Sequence, residues 1–175
     1  MSVYRQVFFG LGSNIGDSVS HLHWALVQLA ASDEVRDLVA SPFYESEAHT
    51  LDNVEQPAYI NAVAGAKTTL LPKDLLRWVN QLERERGRDR ENEARWASRT
   101  LDIDILALGD LSVRTSDLQI PHRRIDQRKF VLLPWNDIAP DFVVPAPFNR
   151  AVKELLADCP DETEIRIFTP ESSQI

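Results

Sequence analysis

Two aspartates separated by one aliphatic residue, in Arg99-Thr100-Leu101-Asp102-Ile103-Asp104-Ile105-Leu106, carry the most chemical information in this chain. Leu101, Ile103 and Ile105 alternate with Asp102 and Asp104, the period of a half-buried strand. Side chains alternate across a strand, so both carboxylates leave one face while the aliphatic residues enter the core from the other. Cα atoms two residues apart on a strand are roughly 6.6 Å from each other. Two such carboxylates can share a pair of metal ions about 3.5–4 Å apart. Like charges on one face repel unless something cationic lies between them. Hard oxygen ligands point to Mg²⁺ (or Mn²⁺), which fills its remaining positions with water and phosphate oxygens. The bland alternative is a solvated strand face, although Asp is depleted in strands.

Basic residues cluster just upstream: Arg84, Arg86, Arg88, Arg90, Arg95 and Arg99. Arg84 and Arg86 belong to a helix end, where cations favour the dipole and face water. Arg88, Arg90, Arg95 and Arg99 follow Gly87 and interleave with Glu91, Glu93 and Trp96. Arginine's planar fork matches phosphate oxygens in pairs. A loop salt-bridged to its own glutamates is the competing reading; a neighbouring pair of carboxylates tips the balance towards a metal-bound polyphosphate.

These groups need a scaffold, and the periodicities supply one. Val3 to Leu11 reads as a strand, followed by a turn at Gly12-Ser13-Asn14-Ile15-Gly16-Asp17. Leu22, Ala25, Leu26, Leu29 and Ala30 recur at helical spacing to about Ala31. Val35 to Tyr44 reads as a second strand and Tyr59 to Thr69 as a third. Between them, Glu45 to Pro57 is polar, irregular and long for a connection, which marks a binding loop. Pro72 suits a helix's first turn, Leu75, Trp78, Val79 and Leu82 make its buried stripe, and Gly87 stops it. Arg88 to Ser98 lacks apolar periodicity, and the aspartate strand follows, closed at Gly109-Asp110. Pro121 to Arg128 reads as a polar turn or short helix, Phe130 to Leu133 as a short apolar run. Asn149 is a candidate cap for a last helix burying Val152, Leu155 and Leu156. The order β-α-β-β-α-β with a C-terminal extension predicts an α+β, ferredoxin-like core, a mainly antiparallel sheet with helices packed on it and long loops over the site.

The 175 residues fit one catalytic domain, 1–175, with the last residues frayed. Hydrophobic content of 43% and charged content of 26% are ordinary for a globular protein. A net charge of −8 and a pI near 5.0 argue against nucleic-acid binding, which relies on a basic field. The lone Cys159 fits a reducing compartment. With no long apolar run and no signal-like start, a cytoplasmic, membrane-free protein is expected. Gly10-Leu11-Gly12-Ser13-Asn14 lacks the Lys-Ser/Thr of a P-loop and reads as a strand-to-helix turn. In nucleotidyltransferases the acidic pair follows a Gly-Ser closely, whereas most of this domain intervenes. A ferredoxin-like RNA-binding module would need a basic, aromatic sheet face, and this strand carries aspartates. His122, in Ile120-Pro121-His122-Arg123-Arg124, lies beside arginines that favour the neutral imidazole. His21, His23 and His49 make no metal-ligand spacing with it. Tyr59, Asn61 and Phe130 offer an aromatic slot with one amide, or serve as core.

Taken in order, several segments resemble the 6-hydroxymethyl-7,8-dihydropterin pyrophosphokinases. They are Leu11-Gly12-Ser13-Asn14, Gln56-Pro57-Ala58-Tyr59-Ile60-Asn61-Ala62, Glu83 with Gly87-Arg88, Arg95-Trp96 with Arg99-Thr100-Leu101-Asp102-Ile103-Asp104, Pro121-His122, Arg128-Lys129-Phe130-Val131-Leu132 and Ile138-Ala139-Pro140. The resemblance covers most of the chain, and R-W-x-x-R-T-L-D-I-D-I is its most specific part. It implies pyrophosphate transfer from ATP to the hydroxymethyl group of 6-hydroxymethyl-7,8-dihydropterin, releasing AMP.

By that resemblance Asp102 and Asp104 hold two Mg²⁺ ions on the ATP phosphates, and Asp102 helps deprotonate the hydroxyl. Arg88 and Arg99 neutralise charge during attack at the β-phosphorus. Arg90, Arg95 and Trp96 belong to a loop closing over ATP; His122, Arg123 and Arg128 contact the nucleotide, as does Glu83. Tyr59 and Phe130 sandwich the pterin while Asn61 bonds its edge. Glu45-Ser46-Glu47-Ala48-His49-Thr50-Leu51 departs from the Thr-Pro-Pro-Leu-Gly-like run of relatives, so Ser46, Glu47 and His49 are expected to meet the pterin through a loop of altered shape. The loop between Gly87 and Trp96 is one residue longer than in close relatives. A monomer acting on these two substrates is the expectation.

Overall fold

A computed structural model describes residues 3–47, 57–88 and 100–170. The main elements are β1 (Arg5–Ser13), α1 (Ser18–Ala31), β2 (Val35–Ala40), β3 (Tyr44–Ser46), β4 (Tyr59–Thr68), α2 (Pro72–Glu85) and β5 (Asp102–Leu108). After them come β6 (Val113–Arg114), β7 (Gln119–Ile120), a 3-10 turn at Ile125–Gln127, α3 (Lys129–Ile138), β8 (Val143–Val144), β9 (Arg150–Ala151), α4 (Val152–Ala157) and β10 (Ile165–Ile167). The main sheet runs β10-β3-β4-β1-β5, with β2 on the same edge of β4 as β3. Every pairing is antiparallel. The four long strands therefore follow β5-β1-β4-β2, and the ferredoxin-like expectation holds.

Alternation along the strands divides the core in two. Val7, Phe9, Leu11, Ile60, Ala62, Leu101, Ile103 and Ile105 enter one layer with Leu22, Ala25 and Leu29 of α1 and Leu75, Val79 and Leu82 of α2. Phe8, Val63 and Leu106 enter the opposite layer with Val131, Leu132 and Trp135 of α3 and Val152 and Leu155 of α4. Gly65, opposite Phe8 in the β1–β4 register, leaves room for that ring. A Cβ at Gly65 would lie 2.9 Å from it.

Several expected elements take a different form. The single strand over 35–44 divides into β2 and β3 because Ser41 interrupts it: its hydroxyl accepts the Val63 N–H at 3.0 Å, and Pro42 cannot donate to a ladder. Gly12 and Ser13 belong to β1 rather than to the turn, and Asp17 caps α1 by accepting the Ser20 N–H at 3.0 Å. The apolar run at 130–133 is the first half of α3, which carries Pro134 inside it. Asn149 does not cap α4; it holds a left-handed φ of 51°, and Ala151 occupies the N-cap position.

Gly65→Ala should destabilise the fold by about 1–3 kcal/mol, the usual cost of overpacking a filled layer. Denaturant unfolding at unchanged m-value would read it. Unchanged stability would mean that Phe8 has another rotamer to move into.

Candidate active site

The second face of the sheet is covered by α3 and α4 over only part of its area; the other part carries polar groups. Register places Tyr44, Asn61, Gly12 and Asp102 in one row across β3, β4, β1 and β5. The adjacent row holds Val63, Gly10 and Asp104, and on the other side Ser46 faces Tyr59. Directly opposed residues of antiparallel strands share a face, as do residues two apart. Tyr59, Asn61, Asp102 and Asp104 are thus neighbours on one surface. At Gly12 a Cβ would come within 3.3 Å of Asn61 Oδ1, so glycine leaves the floor between the amide and the carboxylate bare.

Arg88 reaches this surface through the end of α2. Gly87 adopts φ +84°, the left-handed conformation that glycine accepts without strain. The Gly87 N–H donates to Arg84 O at 2.9 Å and the Arg88 N–H to Glu83 O at 3.1 Å, the paired bonds of a Schellman stop. That reversal folds Arg88 back beside its own helix. Its Nη1 donates to Glu83 Oε1 at 2.7 Å and to Asp102 Oδ1. The Arg88 and Glu83 side chains are 4% and 1% exposed. Glu83 Oε1 also accepts the Ile103 N–H at 2.8 Å, tying α2 to β5 between the two aspartates.

Asp104 has Arg128 Nη1 at 3.6 Å and the His122 imidazole, through Nε2, at 3.9 Å. Desolvation, then the charge of Asp102, pushes its carboxyl up to about 7. Burial and the neighbouring Asp102 thus both disfavour the charged form of Asp104. His122 is fixed by its backbone N–H to Leu106 O at 2.9 Å, and its Nδ1 accepts the Arg124 N–H at 3.4 Å. Burial first, then Arg128, pulls the imidazole down to about 4, so it is neutral with Nε2 towards Asp104. The neutral state matches the sequence reading; desolvation and Arg128 outrank Arg123 and Arg124 as its cause. Burial also lowers the Arg128 pKa, and its guanidinium lies 5.8 Å from the Phe130 ring centroid.

Comparison with known proteins identifies the arrangement. The model of the 7,8-dihydro-6-hydroxymethylpterin-pyrophosphokinase family matches residues 8–140. The chain belongs to that family. A 2-amino-4-hydroxy-6-hydroxymethyldihydropteridine pyrophosphokinase of Pseudomonas aeruginosa is 39% identical over 158 residues, covering 90% of this chain and 94% of the relative. A protein of the same name from Haemophilus influenzae is 36% identical, covering 91% and 96%. Among solved structures, Plasmodium falciparum HPPK-DHPS with pterin and p-hydroxybenzoate superposes with a TM-score of 0.67 at 14% identity. It covers 89% of this chain, which spans 43% of that longer chain, and it supports the shared fold.

Within this pyrophosphokinase-family domain Asp102, Asp104, Arg88, His122, Arg128 and Asn61, the residues that the family resemblance assigns to one site, lie near one another on the open face. Arg123 is exposed beside His122. Phe130 lies in the first turn of α3, and Tyr59 opens β4. Ser46 is buried and accepts the Asn61 Nδ2–H at 2.8 Å, while Glu47 is exposed. Glu83 is buried, and its carboxylate accepts from Arg88 and from the Ile103 amide, which places it beside Asp102. Arg90, Arg95, Trp96, Arg99 and His49 lie outside the described residues.

Sequence reasoning also missed Tyr44, whose hydroxyl donates to Asp137 Oδ2 at 2.5 Å and joins β3 to α3. Burial, then that bond, pushes the phenol up to about 12. An aromatic residue opening an alternating segment carries no sign of such a partner 93 residues away.

Neighbouring substitutions should move stability in opposite directions. Asp104→Asn removes a desolvated, repelled charge and should leave the metal-free protein as stable as the parent, or raise its Tm by up to about 4 °C. Arg88→Ala leaves Glu83 buried without its guanidinium and should cost about 3 kcal/mol. Thermal and denaturant unfolding in chelator would measure both; equal losses would refute the electrostatic account.

Proposed function

We propose that this chain transfers the pyrophosphoryl group of ATP to the hydroxymethyl oxygen of 6-hydroxymethyl-7,8-dihydropterin, giving AMP and the pterin diphosphate for folate synthesis. The observation that carries the reading is the row Asn61–Gly12–Asp102, an amide and a carboxylate separated by bare floor, flanked by Arg88, His122 and Arg128. Three neighbouring strands make this row about 10 Å wide, enough for a flat bicyclic ring reaching from the amide towards the carboxylates. Tyr59 and Phe130 are the aromatic surfaces for that ring, Asn61 bonds its edge, and Ser46, Glu47 and His49 are assigned as further pterin contacts.

The donor set also fits a hard divalent cation. Asp102 and Asp104 present two carboxylates on one face of the sheet, a hard oxygen donor set, and burial with the charge of Asp102 holds the Asp104 carboxyl above the usual range. Mg²⁺ is commonly held by one or two carboxylates plus phosphate oxygens and water. Asp102 and Asp104 would hold two such ions, which would supply positive charge to offset that of the ATP phosphates.

The remaining work falls to the chain's own groups. Arg88 and Arg99 stabilise charge at the β-phosphorus during attack, while Arg90, Arg95 and Trp96 cover the nucleotide. His122, Arg123 and Arg128 orient its phosphates and ribose. Asp102, in the same row as Asn61, receives the proton lost by the hydroxyl. The β-phosphorus–oxygen bond to the α-phosphate breaks as the bond to the pterin oxygen forms, and AMP leaves. Positioning and electrostatics supply most of the acceleration in such transfers. The enzyme is read as a single catalytic domain, monomeric and cytoplasmic; no helix among the described residues is long and apolar enough to cross a membrane.

Incubation with Mg-ATP and 6-hydroxymethyl-7,8-dihydropterin should produce AMP and pterin diphosphate in equal amounts. ADP or pyrophosphate as product would overturn the assignment. Asp102→Asn and Asp104→Asn should each lower turnover by at least about a hundredfold, as loss of transition-state charge stabilisation does. Near-normal turnover by either would return the pair to a solvated strand face.

A further inference from the structure

Residues after 140 lie beyond the stretch matched by the family model, yet they reach both elements that flank the open face. α3 begins at Lys129, and its N-cap residue, Arg128, makes no side-chain cap bond. Asp161 takes over that role from 32 residues away: its Oδ2 accepts the Lys129 N–H at 3.1 Å. Its other oxygen, Oδ1, accepts the Thr163 N–H at 3.0 Å and the Thr163 hydroxyl at 2.5 Å, which fixes the carboxylate's orientation. Lys129 Nζ donates to Thr163 O at 3.3 Å, closing a second tie. The same segment continues into β10, which pairs Ile165, Arg166 and Ile167 with Ser46, Glu45 and Tyr44 of β3. Arg166 Nη2 meets Glu45 Oε1 at 3.2 Å, and the Phe168 N–H donates to Phe43 O at 2.8 Å.

We propose that Asp161 is a positioning residue for both substrates, acting through the first turn of α3. The proposal rests on the assignment of Arg128 to ATP and Phe130 to the pterin. Those two residues immediately flank Lys129, whose amide Asp161 holds. The first N–H groups of a helix have no partner within it. A carboxylate there satisfies one and complements the helix dipole. Without it the turn frays, and Arg128 and Phe130 lose their fixed relation to the sheet. Asparagine accepts the same hydrogen bond about as well as aspartate, so it should preserve the geometry.

The test compares Asp161→Ala with Asp161→Asn at a temperature where both are folded. Steady-state assays would follow AMP release. Calorimetry would follow pterin binding in the presence of Mg²⁺ and an ATP analogue with a methylene bridge between the α- and β-phosphorus. Asp161→Ala should raise KM for both substrates and Kd for the pterin about five- to tenfold with kcat within about twofold, and Asp161→Asn should restore each to within about twofold. Hydrogen exchange should accelerate at the first amides of α3 and stay unchanged in β1 and β4. Unaltered KM and Kd in the alanine variant, equal losses in both variants, or acceleration spread evenly over the sheet would overturn the proposal. If Asp161→Ala does not fold, Thr163→Val, which removes one of the two Thr163 hydrogen bonds that orient the carboxylate, carries the test. It should raise KM about two- to threefold, and no change would count against the idea. Failure of the parent protein to bind the pterin or release AMP would instead overturn the functional assignment itself, which that control reads separately.

Discussion

The arrangement of this site depends on one buried ion pair, Arg88 with Glu83, and on its extension to Asp102. Breaking a buried pair leaves an uncompensated charge, so its geometry is held far more firmly than that of a surface bridge. Glu83 supplies a third tie by accepting the Ile103 amide, which anchors α2 to β5 at the residue between the two aspartates. Helix end, arginine and metal-type carboxylates are consequently one unit. The positive φ of Gly87 is its precondition, since only that reversal returns Arg88 to its own helix. A single glycine thus links a local backbone preference to the electrostatics of the open face.

Around this unit the sheet solves a packing problem with chemical consequences. A ferredoxin-like sheet with two helices buries one face fully and must dispose of the other. Here α3 and α4 cover part of it with Trp135, Leu132 and Val152. The remaining rows carry Gly10 and Gly12 where a larger residue would fill the floor, with Asn61, Asp102 and Asp104 around them. The aspartates accept a desolvated position next to each other, at a cost visible in the raised pKa of Asp104. Sites that bind cationic partners commonly store such mismatch in the free protein.

How much of this was legible depended on the range over which each feature is determined. The shared face of Asp102 and Asp104 follows from period alone, because alternation along a strand fixes the face of each side chain whatever the sheet order. The stripes of α1 and α2 and the Gly87 stop were equally local, and β-α-β-β-α-β order then constrained the topology. Features set by remote partners escaped. Nothing near Val35 shows that Ser41 will take a hydrogen bond from Val63 and divide the strand. Nothing near Glu83 shows that its carboxylate will be buried against Arg88 and a β5 amide. Phe130 to Leu133 reads only as a short apolar run because Pro134 interrupts the pattern and because the cap comes from Asp161. Asn149 had the right chemistry for a cap but lay two residues before the helix's N-cap, in a left-handed turn.

The C-terminal segment shows why such remote determinants gather at one place. β3 is only three residues long, and α3 has no capping side chain of its own, so neither is well defined by its local sequence. Each receives its missing hydrogen-bond partner from residues 161–168, and Tyr44 joins the two directly through Asp137. Short elements held from outside can settle at positions that an intrinsically stable helix or strand would not adopt, since their placement follows their partners and not their own propensity. β3 carries Ser46, which orients the Asn61 amide, and α3 begins beside Arg128 and Phe130. The two halves of the open face are thereby referred to one short stretch of chain, and their separation is fixed by the length of that stretch and by the Asp161 and β10 contacts at its ends.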